Sequence, residues 1–267
     1  MGDIRIRSTA ARGAAFVDDL VYDGPDGLEV EAYLVRPAEL VAGERAAGLV
    51  MWHWLDSEAP DGNRTQYLDE AASLAAAGAI CLLPQGRFPW SQPPTGSEAD
   101  TAEILAEAGR LRAGLDLLAA RPDVDDGRLG VVGHDFGGMI AAVEAADEDR
   151  LKALVIVAAA PRWGDWFLLF WDIGEDRIDY LGAIRPLDPV EVIGRATPAT
   201  VLLQFGRSDF FIAAMSGLEF KASSPAGTEL LPYDSGHDMR LPEIAADRRA
   251  FLARTLGLRE TSRRSAS

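Results

Sequence analysis

The segment from Leu129 to Met139 places one acidic side chain between glycines, directly after a continuous apolar run. It reads L-G-V-V-G-H-D-F-G-G-M, with Asp135 at its centre and Gly133 and Gly137 two residues away on either side. Glycines at these places let a strand and the following helix approach closely around one residue held in a strained turn. The pattern predicts a nucleophile elbow in which Asp135 stands where a serine is more usual.

An acid and a histidine follow this elbow in chain order. Asp209 comes directly after an apolar run, and His237 precedes the last amphipathic segment of the chain. A histidine held in one tautomer by a carboxylate can take a proton from water. We therefore predict a triad of Asp135, Asp209 and His237, with Asp234 and Asp238 as alternatives for the second acid.

The chain has three histidines, so the choice of base is narrow. His134 directly precedes the elbow residue and is expected to point away from the tip of the turn, as a packed neighbour. His53 ends an apolar run, and we expect a structural role for it, although it is also counted among the residues that could line a substrate site. His237 is therefore the predicted base.

A carboxylate nucleophile favours a particular kind of electrophile. An aspartate with an ordinary pKa of about 4 is already ionised at neutral pH and needs no base. On an ester carbonyl it would form a reactive anhydride, whereas on an sp3 carbon that carries a leaving group it forms a stable alkyl ester. Epoxides and carbon–halogen bonds fit this chemistry. In a second step, His237 would activate the water that attacks the carbonyl carbon of Asp135.

These residues must be positioned by secondary structure, and apolar runs without alternation predict strands that are covered on both faces. The runs lie at 48–52, 79–83, 129–132, 151–157 and 200–205. Helical patterns alternate with them, and Asp100 with Glu103 fits a capping box. The predicted helices are 65–77, 100–120, the stretch after Gly137, and 242–256. Alternating segments at 15–22 and 28–35 predict an edge hairpin. The fold class is therefore α/β, a doubly wound and mostly parallel sheet.

The connection between the last two runs is too long for a simple turn and is rich in aromatic residues. We predict that residues 159–198 form a small helical lid. Aromatic side chains near strand ends suit an apolar slot for a small organic molecule. The predicted substrate-binding residues are His53, Trp90, Trp163, Trp166, Trp171 and Tyr180.

The motif G-H-D-F-G-G, the acid at 209 and the late histidine in S-G-H together resemble the α/β-hydrolase superfamily. From residue 30 to residue 256 the chain pattern is similar to the dienelactone-hydrolase-like branch, while Asp135 matches the aspartate of epoxide hydrolases and haloalkane dehalogenases. The resemblance implies one α/β-hydrolase domain over 1–267, with a disordered tail at 259–267. It also implies an oxyanion hole of backbone N–H groups from Phe136 and from Trp54 or Leu55.

The leaving group separates the possible reactions. A halide needs N–H donors such as an indole, whereas an epoxide oxygen needs an acid such as a tyrosine hydroxyl. Phe136 cannot donate where haloalkane dehalogenases commonly place a tryptophan, so we expect an epoxide hydrolase, with Tyr180 or else Tyr67 as the acid. The alternatives are a haloalkane or haloacid dehalogenase, a dienelactone-type ester or lactone hydrolase with Asp135 as a base, and an inactive ligand-binding relative.

Charge and composition exclude several classes of partner. The chain of 267 residues carries 26 Lys and Arg against 42 Asp and Glu, a net charge of −16, which disfavours nucleic acids and anionic membranes. No histidine and cysteine cluster predicts a metal, and no glycine-rich phosphate loop predicts a cofactor. The single cysteine and the lack of a signal-like start lead us to expect a cytoplasmic protein. The expected partners are a small apolar organic substrate and water, with a homodimer as a further expectation.

Overall fold

One sheet of nine strands forms the centre of the part of the chain that the structure describes. This computed structural model describes residues 4–259 except 42, 57, 60 and 198, so the predicted tail lies, apart from Arg259, outside the described residues. The strands are β1 (Arg5–Arg12), β2 (Ala15–Asp23), β3 (Glu29–Pro37), β4 (Ala46–Trp52), β5 (Ala79–Pro84), β6 (Val124–His134), β7 (Leu151–Val157), β8 (Thr200–Gly206) and β9 (Glu229–Tyr233).

Helices cover both faces of this sheet. They are α1 (Leu68–Ala76), α2 (Ser97–Ala119), α3 (Phe136–Ala145), α4 (Trp163–Phe170), α5 (Arg177–Ile184), α6 (Pro189–Val192), α7 (Ser216–Ser223) and α8 (Pro242–Leu256). Within the described residues, no helix is long and apolar enough to cross a membrane.

The strand order is β1-β2-β3-β5-β4-β6-β7-β8-β9. Pairing is antiparallel from β1 through β3 to β5 and parallel from there to β9. The predicted α/β class with a mostly parallel sheet is therefore confirmed. The predicted hairpin is formed by β2 and β3, but it does not lie at the edge of the sheet, because β1 pairs with β2 on its outer side. Strand β1 was not predicted, because all eight of its residues are exposed and no apolar face marks it in the sequence.

The five apolar runs are the buried strands β4 to β8, as predicted. Full burial of a large apolar side chain such as Val, Leu or Ile in these strands contributes about 1.5–3 kcal/mol to the free energy of folding. The helical stripe along α2 is also confirmed, since Ile104, Leu111 and Leu115 are all fully buried against the sheet. Because β4, β6, β7 and β8 are parallel neighbours, their carboxyl ends bring the loops that follow them to one edge.

Two helix starts differ from the prediction. Helix α2 begins at Ser97, so Asp100 lies within its first turn and does not cap it with Glu103. One carboxylate oxygen of Asp100 instead accepts the Thr95 N–H at 2.8 Å. Helix α1 begins at Leu68 and not at 65, because a turn with a left-handed residue at 63 precedes it.

The segment predicted as a lid contains α4, α5 and α6, which lie between β7 and β8. Its α4 is anchored in the core, because Trp163 and Phe167 are fully buried and the Phe167 ring lies 5.4 Å from the ring of Phe88. Its α5 is tied to α2, since the Tyr180 hydroxyl donates to Asp100 at 2.7 Å. The segment is thus packed onto the sheet body in this structure.

Candidate active site

Asp135 occupies the tight turn between β6 and α3. Its backbone has φ 55° and ψ −121°, a left-handed conformation that costs free energy for any residue other than glycine. A Cβ atom at Gly133 would lie 2.2 Å from the carbonyl oxygen of Gly137, and one at Gly137 would lie 2.6 Å from that of Trp52. Only glycine fits both places, so the elbow predicted from the sequence is present in the structure.

The structure brings Asp135, Asp209 and His237 together. His237 Nδ1 lies 2.9 Å from Asp209 Oδ2, and His237 Nε2 lies 3.8 Å from Asp135 Oδ2. The other oxygen of Asp209 accepts the N–H groups of Phe211 at 2.8 Å and Ile212 at 3.0 Å. Both oxygens of Asp209 are thereby held, and the imidazole is oriented with Nε2 toward Asp135.

The two alternative acids lie elsewhere on the surface. Asp234 pairs with Arg207 at 2.9 Å and its side chain is 87% exposed. Asp238 lies 3.8 Å from Arg240. Neither replaces Asp209, whose side chain is 1% exposed, as the hydrogen-bond partner of the histidine.

The charges of the triad stabilise one another against the cost of burial. Burial lowers the pKa of His237, but hydrogen bonds and charges from Asp135 and Asp209 outweigh it and raise this pKa to about 9. Burial raises the pKa of Asp135, while His237 and backbone N–H groups oppose that rise. At neutral pH the imidazole is therefore protonated, and its charge favours the carboxylate form of Asp135.

Backbone N–H groups surround the Asp135 carboxylate. The Leu55 N–H donates to Oδ2 at 3.4 Å, and the Phe136 N–H also stabilises the anion and opposes the rise of its pKa. The N–H of Trp54, predicted as another donor, instead donates to Gln66 Oε1 at 2.9 Å. Asp135 Oδ1 is buried and accepts no hydrogen bond from the described residues. This oxygen is free to attack.

The other two histidines are buried and neutral. His53 Nε2 accepts the Gly86 N–H at 3.0 Å, and its Nδ1 lies 3.0 Å from the carbonyl oxygen of Trp54. Burial lowers its pKa to about 4. Because both ring nitrogens are engaged, His53 has no free polar atom to offer a substrate. Burial also holds the pKa of His134 well below its usual value.

Trp166 lies next to His237. Its ring centre is 5.9 Å from that of His237 and 5.2 Å from that of Phe136, and the ring stacks on Phe211 at 5.5 Å. The indole Nε1 is buried and has no hydrogen-bond partner among the described residues. An unpaired buried N–H is costly unless something else accepts it, so it marks a place for an acceptor on a ligand.

The remaining predicted binding residues separate into two groups. Trp90 and Trp171 lie near the site, with ring centres 6.2 and 6.3 Å from that of Phe136. Trp163 does not offer its indole there, because its Nε1 donates to the carbonyl oxygen of Leu187 at 2.7 Å. The polar atoms of both Trp163 and Tyr180 thus have protein partners, since the Tyr180 hydroxyl donates to Asp100.

The second candidate acid, Tyr67, is also placed away from the triad. Its ring packs beneath the Arg248 guanidinium at 5.3 Å, in the apolar cluster that also holds Leu74 and Phe251. No residue pattern distinguishes such a tyrosine from one in a catalytic loop. Both predicted tyrosine acids therefore have surroundings unrelated to the carboxylate nucleophile.

Three residues that surround the triad, Phe170, Phe211 and Gln66, were not predicted from the sequence. Phe211 lies 5.2 Å from His237 between ring centres, Phe170 packs on Trp166 at 4.9 Å, and both are about half exposed. The pair of phenylalanines that follows Asp209 was a usable signal, because the loop after that strand carries the acid. Gln66 gave no signal, since it falls inside a stretch predicted to be helical.

Among the described residues, no group of histidine, cysteine and acidic side chains could hold a metal ion.

Comparison with known proteins identifies the fold. No protein-family model matches the chain, and no curated protein is similar to it in sequence. An acetyl xylan esterase from Paenibacillus sp. R4 has 19% identity and a TM-score of 0.77 over 96% of this chain and 89% of that one. Acetyl xylan esterase 1 from Thermoanaerobacterium sp. JW/SL YS485 has 18% identity and a TM-score of 0.73 over 96% and 88%. The α/β hydrolase GrgF from Penicillium sp. sh18 has 15% identity and a TM-score of 0.66 over 90% and 99%. The chain therefore has the α/β-hydrolase fold.

Proposed function

We propose that the chain is a hydrolase that uses Asp135 as a nucleophile and passes through an ester on this residue. The proposal rests on one observation: a buried carboxylate at the tip of the elbow has one oxygen free and the other facing a histidine–aspartate pair. The histidine–aspartate pair is needed to activate water for hydrolysis of the ester. The carboxylate needs no such help, because it is already a nucleophile when it is ionised.

In the first step, Asp135 Oδ1 attacks an sp3 carbon of the substrate. A carbon–oxygen bond forms, the bond to the leaving group breaks, and the leaving group departs with the bonding electrons. The Leu55 N–H stays on Oδ2, which becomes the carbonyl oxygen of the ester. The negative charge has now left Asp135, so His237 releases its proton to solvent.

In the second step, neutral His237 takes a proton from water, and the water oxygen attacks the carbonyl carbon of the Asp135 ester. The oxyanion forms on Oδ2, where the Leu55 N–H stabilises it, and the Phe136 N–H is the proposed second donor. His237 then gives its proton to the departing alcohol. The acid proton of Asp135 passes to His237, which restores the carboxylate and the imidazolium.

The surroundings favour a halide as the leaving group over the epoxide that the sequence led us to expect. The Tyr180 hydroxyl donates to Asp100 and the Tyr67 ring packs under Arg248, whereas Trp166, whose ring centre lies 5.9 Å from that of His237, has an indole N–H without a partner among the described residues. An indole N–H can stabilise an anion but has no readily transferable proton, and a halide needs none. We therefore propose a haloalkane or haloacid substrate.

An apolar substrate body is part of this proposal. The rings of Phe136, Trp166 and Phe211 form a continuous aromatic cluster that reaches His237, with ring centres 5.2 Å apart for Phe136 and Trp166, 5.5 Å for Trp166 and Phe211, and 5.2 Å for Phe211 and His237. Removing apolar surface from water contributes about 25 cal/mol per Å2, so such rings favour a hydrocarbon over a polyol.

A dienelactone-type ester or lactone hydrolase is the second candidate. It is supported by the esterases among the proteins of similar fold and by the two N–H donors, which could equally receive the oxyanion of a substrate ester. In this reaction Asp135 would act as a base toward water. No covalent species would form on the protein.

The test uses His237→Gln, which leaves the nucleophile intact and removes the base. The variant is incubated separately with 1-bromobutane, 1,2-epoxybutane and γ-butyrolactone, then analysed by intact-protein mass spectrometry and peptide mapping. A butyl adduct on Asp135 is expected, and a hydroxybutyl adduct would indicate an epoxide hydrolase instead. Hydrolysis of the lactone by the unmodified protein with no adduct would replace the proposal by the second candidate. Asp234→Asn, a change of an exposed acid, is the matched control.

A further inference from the structure

A chain of hydrogen bonds runs behind the triad from the loop after β4 to the backbone of His237. The Trp54 N–H donates to Gln66 Oε1 at 2.9 Å. Gln66 Nε2 lies 2.6 Å from His134 Nδ1, and His134 Nε2 lies 2.8 Å from the carbonyl oxygen of His237. Three segments that are distant in sequence are thereby joined through one glutamine and one histidine.

Only one proton arrangement satisfies every link. The carbonyl oxygen of His237 can only accept, so His134 Nε2 must carry the proton. His134 is neutral, because burial and the charges of His237, Arg240 and Arg248 lower its pKa, so its Nδ1 must accept from the amide nitrogen of Gln66. The amide oxygen of Gln66 is then left for the Trp54 N–H. Each group therefore fixes the orientation of the next.

The two ends of this chain of hydrogen bonds hold the two groups that the proposed second step requires, an N–H donor for the oxyanion and the base. At one end, the bond to Trp54 orients the loop whose next N–H, that of Leu55, faces Asp135 Oδ2 at 3.4 Å. At the other end, His134 holds the main chain of His237, whose ring must direct Nε2 toward the attacking water. The Trp54 ring also stacks on the His134 ring at 5.7 Å, which adds packing to the hydrogen bonds.

We propose that Gln66 is a positioning residue that acts through His134 and Trp54 to align the oxyanion-stabilising N–H of Leu55 with the base, His237. This inference rests on the proposed function. Its effect is expected in hydrolysis of the ester more than in its formation, because negative charge appears on Oδ2 during hydrolysis and disappears from it during formation. Misplacement of such groups by about 1 Å can cost about 100-fold in rate.

Gln66→Met tests the proposal, because methionine is similar in size and cannot make either hydrogen bond. In quenched-flow mass spectrometry with 1-bromobutane, we expect hydrolysis of the Asp135 ester to slow about 10- to 100-fold, with ester formation within about 3-fold of the unmodified protein. The ester should then accumulate at steady state. Equal slowing of both steps, or an unchanged hydrolysis rate, would overturn it. Gln92→Met is the matched control, because Gln92 donates to Glu103 away from the triad.

Gln66→Glu gives a second readout that a merely structural residue would not move. The new carboxylate keeps an acceptor for the Trp54 N–H, but toward His134 Nδ1 it can only accept, so Nδ1 must carry a proton. His134 can then also donate to the carbonyl oxygen of His237 only while it is doubly protonated. We expect the hydrolysis rate of this variant to fall as the pH rises through the pKa of His134. A pH profile identical to that of the unmodified protein would count against the proposal.

A substrate-free measurement separates this inference from the proposed reaction. The Nδ1–H of His237, hydrogen-bonded to Asp209 at 2.9 Å, should give a downfield proton resonance in NMR spectra. Gln66→Met is expected to shift or broaden this resonance, and Gln92→Met is expected to leave it in place. If the resonance responds but no ester ever forms in His237→Gln, the positioning role of Gln66 is supported and the proposed reaction is refuted. An unchanged resonance refutes the positioning role of Gln66.

Discussion

His237 is expected to have two different pKa values within one catalytic cycle. In the free protein its pKa is raised to about 9, against the effect of burial, by hydrogen bonds and charges from Asp135 and Asp209. Ester formation neutralises Asp135 and removes one of these two carboxylates. The base that hydrolyses the ester is therefore created by the step that forms it.

The distance between the two groups sets the size of this change. His237 Nε2 lies 3.8 Å from Asp135 Oδ2. Two unit charges at that separation interact by about 4 kcal/mol at an effective dielectric constant of about 20. This energy corresponds to a change of about 3 in pKa. The pKa of His237 in the ester is thus expected at about 6, so the neutral base predominates at pH 7.

Two measurements test this pair of values. Hydrolysis of the preformed Asp135 ester, followed in single turnovers by mass spectrometry, should accelerate as the pH rises through about 6 and then level off. In the free protein, an NMR titration of 15N-labelled histidine should show His237 losing its proton at about 9. Hydrolysis that accelerates only through about pH 9, or a His237 that is neutral at pH 7 without substrate, would refute the reasoning.

Three other predictions concern the residues around the triad. Asp135→Asn should abolish ester formation in the mass assay and reduce turnover by about 10⁴-fold, since the amide is no nucleophile; residual adduct on another residue would contradict this. Trp166→Phe should lower kcat/KM for bromoalkanes by about 10- to 100-fold, because the donor for the halide is lost, and it should also lower the unfolding free energy, because the buried indole loses packing; unchanged kcat/KM would remove the halide role. Tyr180→Phe should lower the free energy of unfolding by about 1–3 kcal/mol, measured in urea, because Asp100 loses a buried donor. Its turnover of epoxides and haloalkanes should stay within about 3-fold, and a selective loss of epoxide hydrolysis would restore the tyrosine as an acid.

Much of the fold was readable because its signals are local. Buried parallel strands such as Leu151–Val157 need apolar side chains on both faces, and that need is written in consecutive residues. The elbow was readable in part for the same reason, since a Cβ atom at Gly133 would meet the backbone of Gly137, four residues away. The steric demand on Gly137 comes instead from the carbonyl oxygens of Trp52 and His53, which folding brings next to it. Strand β1 was missed because it is exposed on both faces and places no such demand on its side chains.

The helix starts show where local patterns mislead. Asp100 fits a capping box in the sequence, yet its oxygens are engaged by Thr95 and by Tyr180, a residue 80 positions away. Gln66 lies in a stretch that reads as helix, but a turn holds it outside α1, where it reaches Trp54 and His134. Both outcomes depend on partners that the sequence does not place nearby.

The sequence by itself determined the α/β class, the elbow with its unusual aspartate, and the chain order of a possible acid and base. These follow from short-range sterics and from the fixed geometry of parallel sheets. Only the tertiary structure decided which polar atoms stay unpaired, because each hydrogen bond depends on two groups that meet after folding. It engaged the hydroxyl of Tyr180, left Trp166 Nε1 without a partner, and turned the Trp54 N–H toward Gln66. Those pairings, which no spacing encodes, determine the chemistry that this site can support.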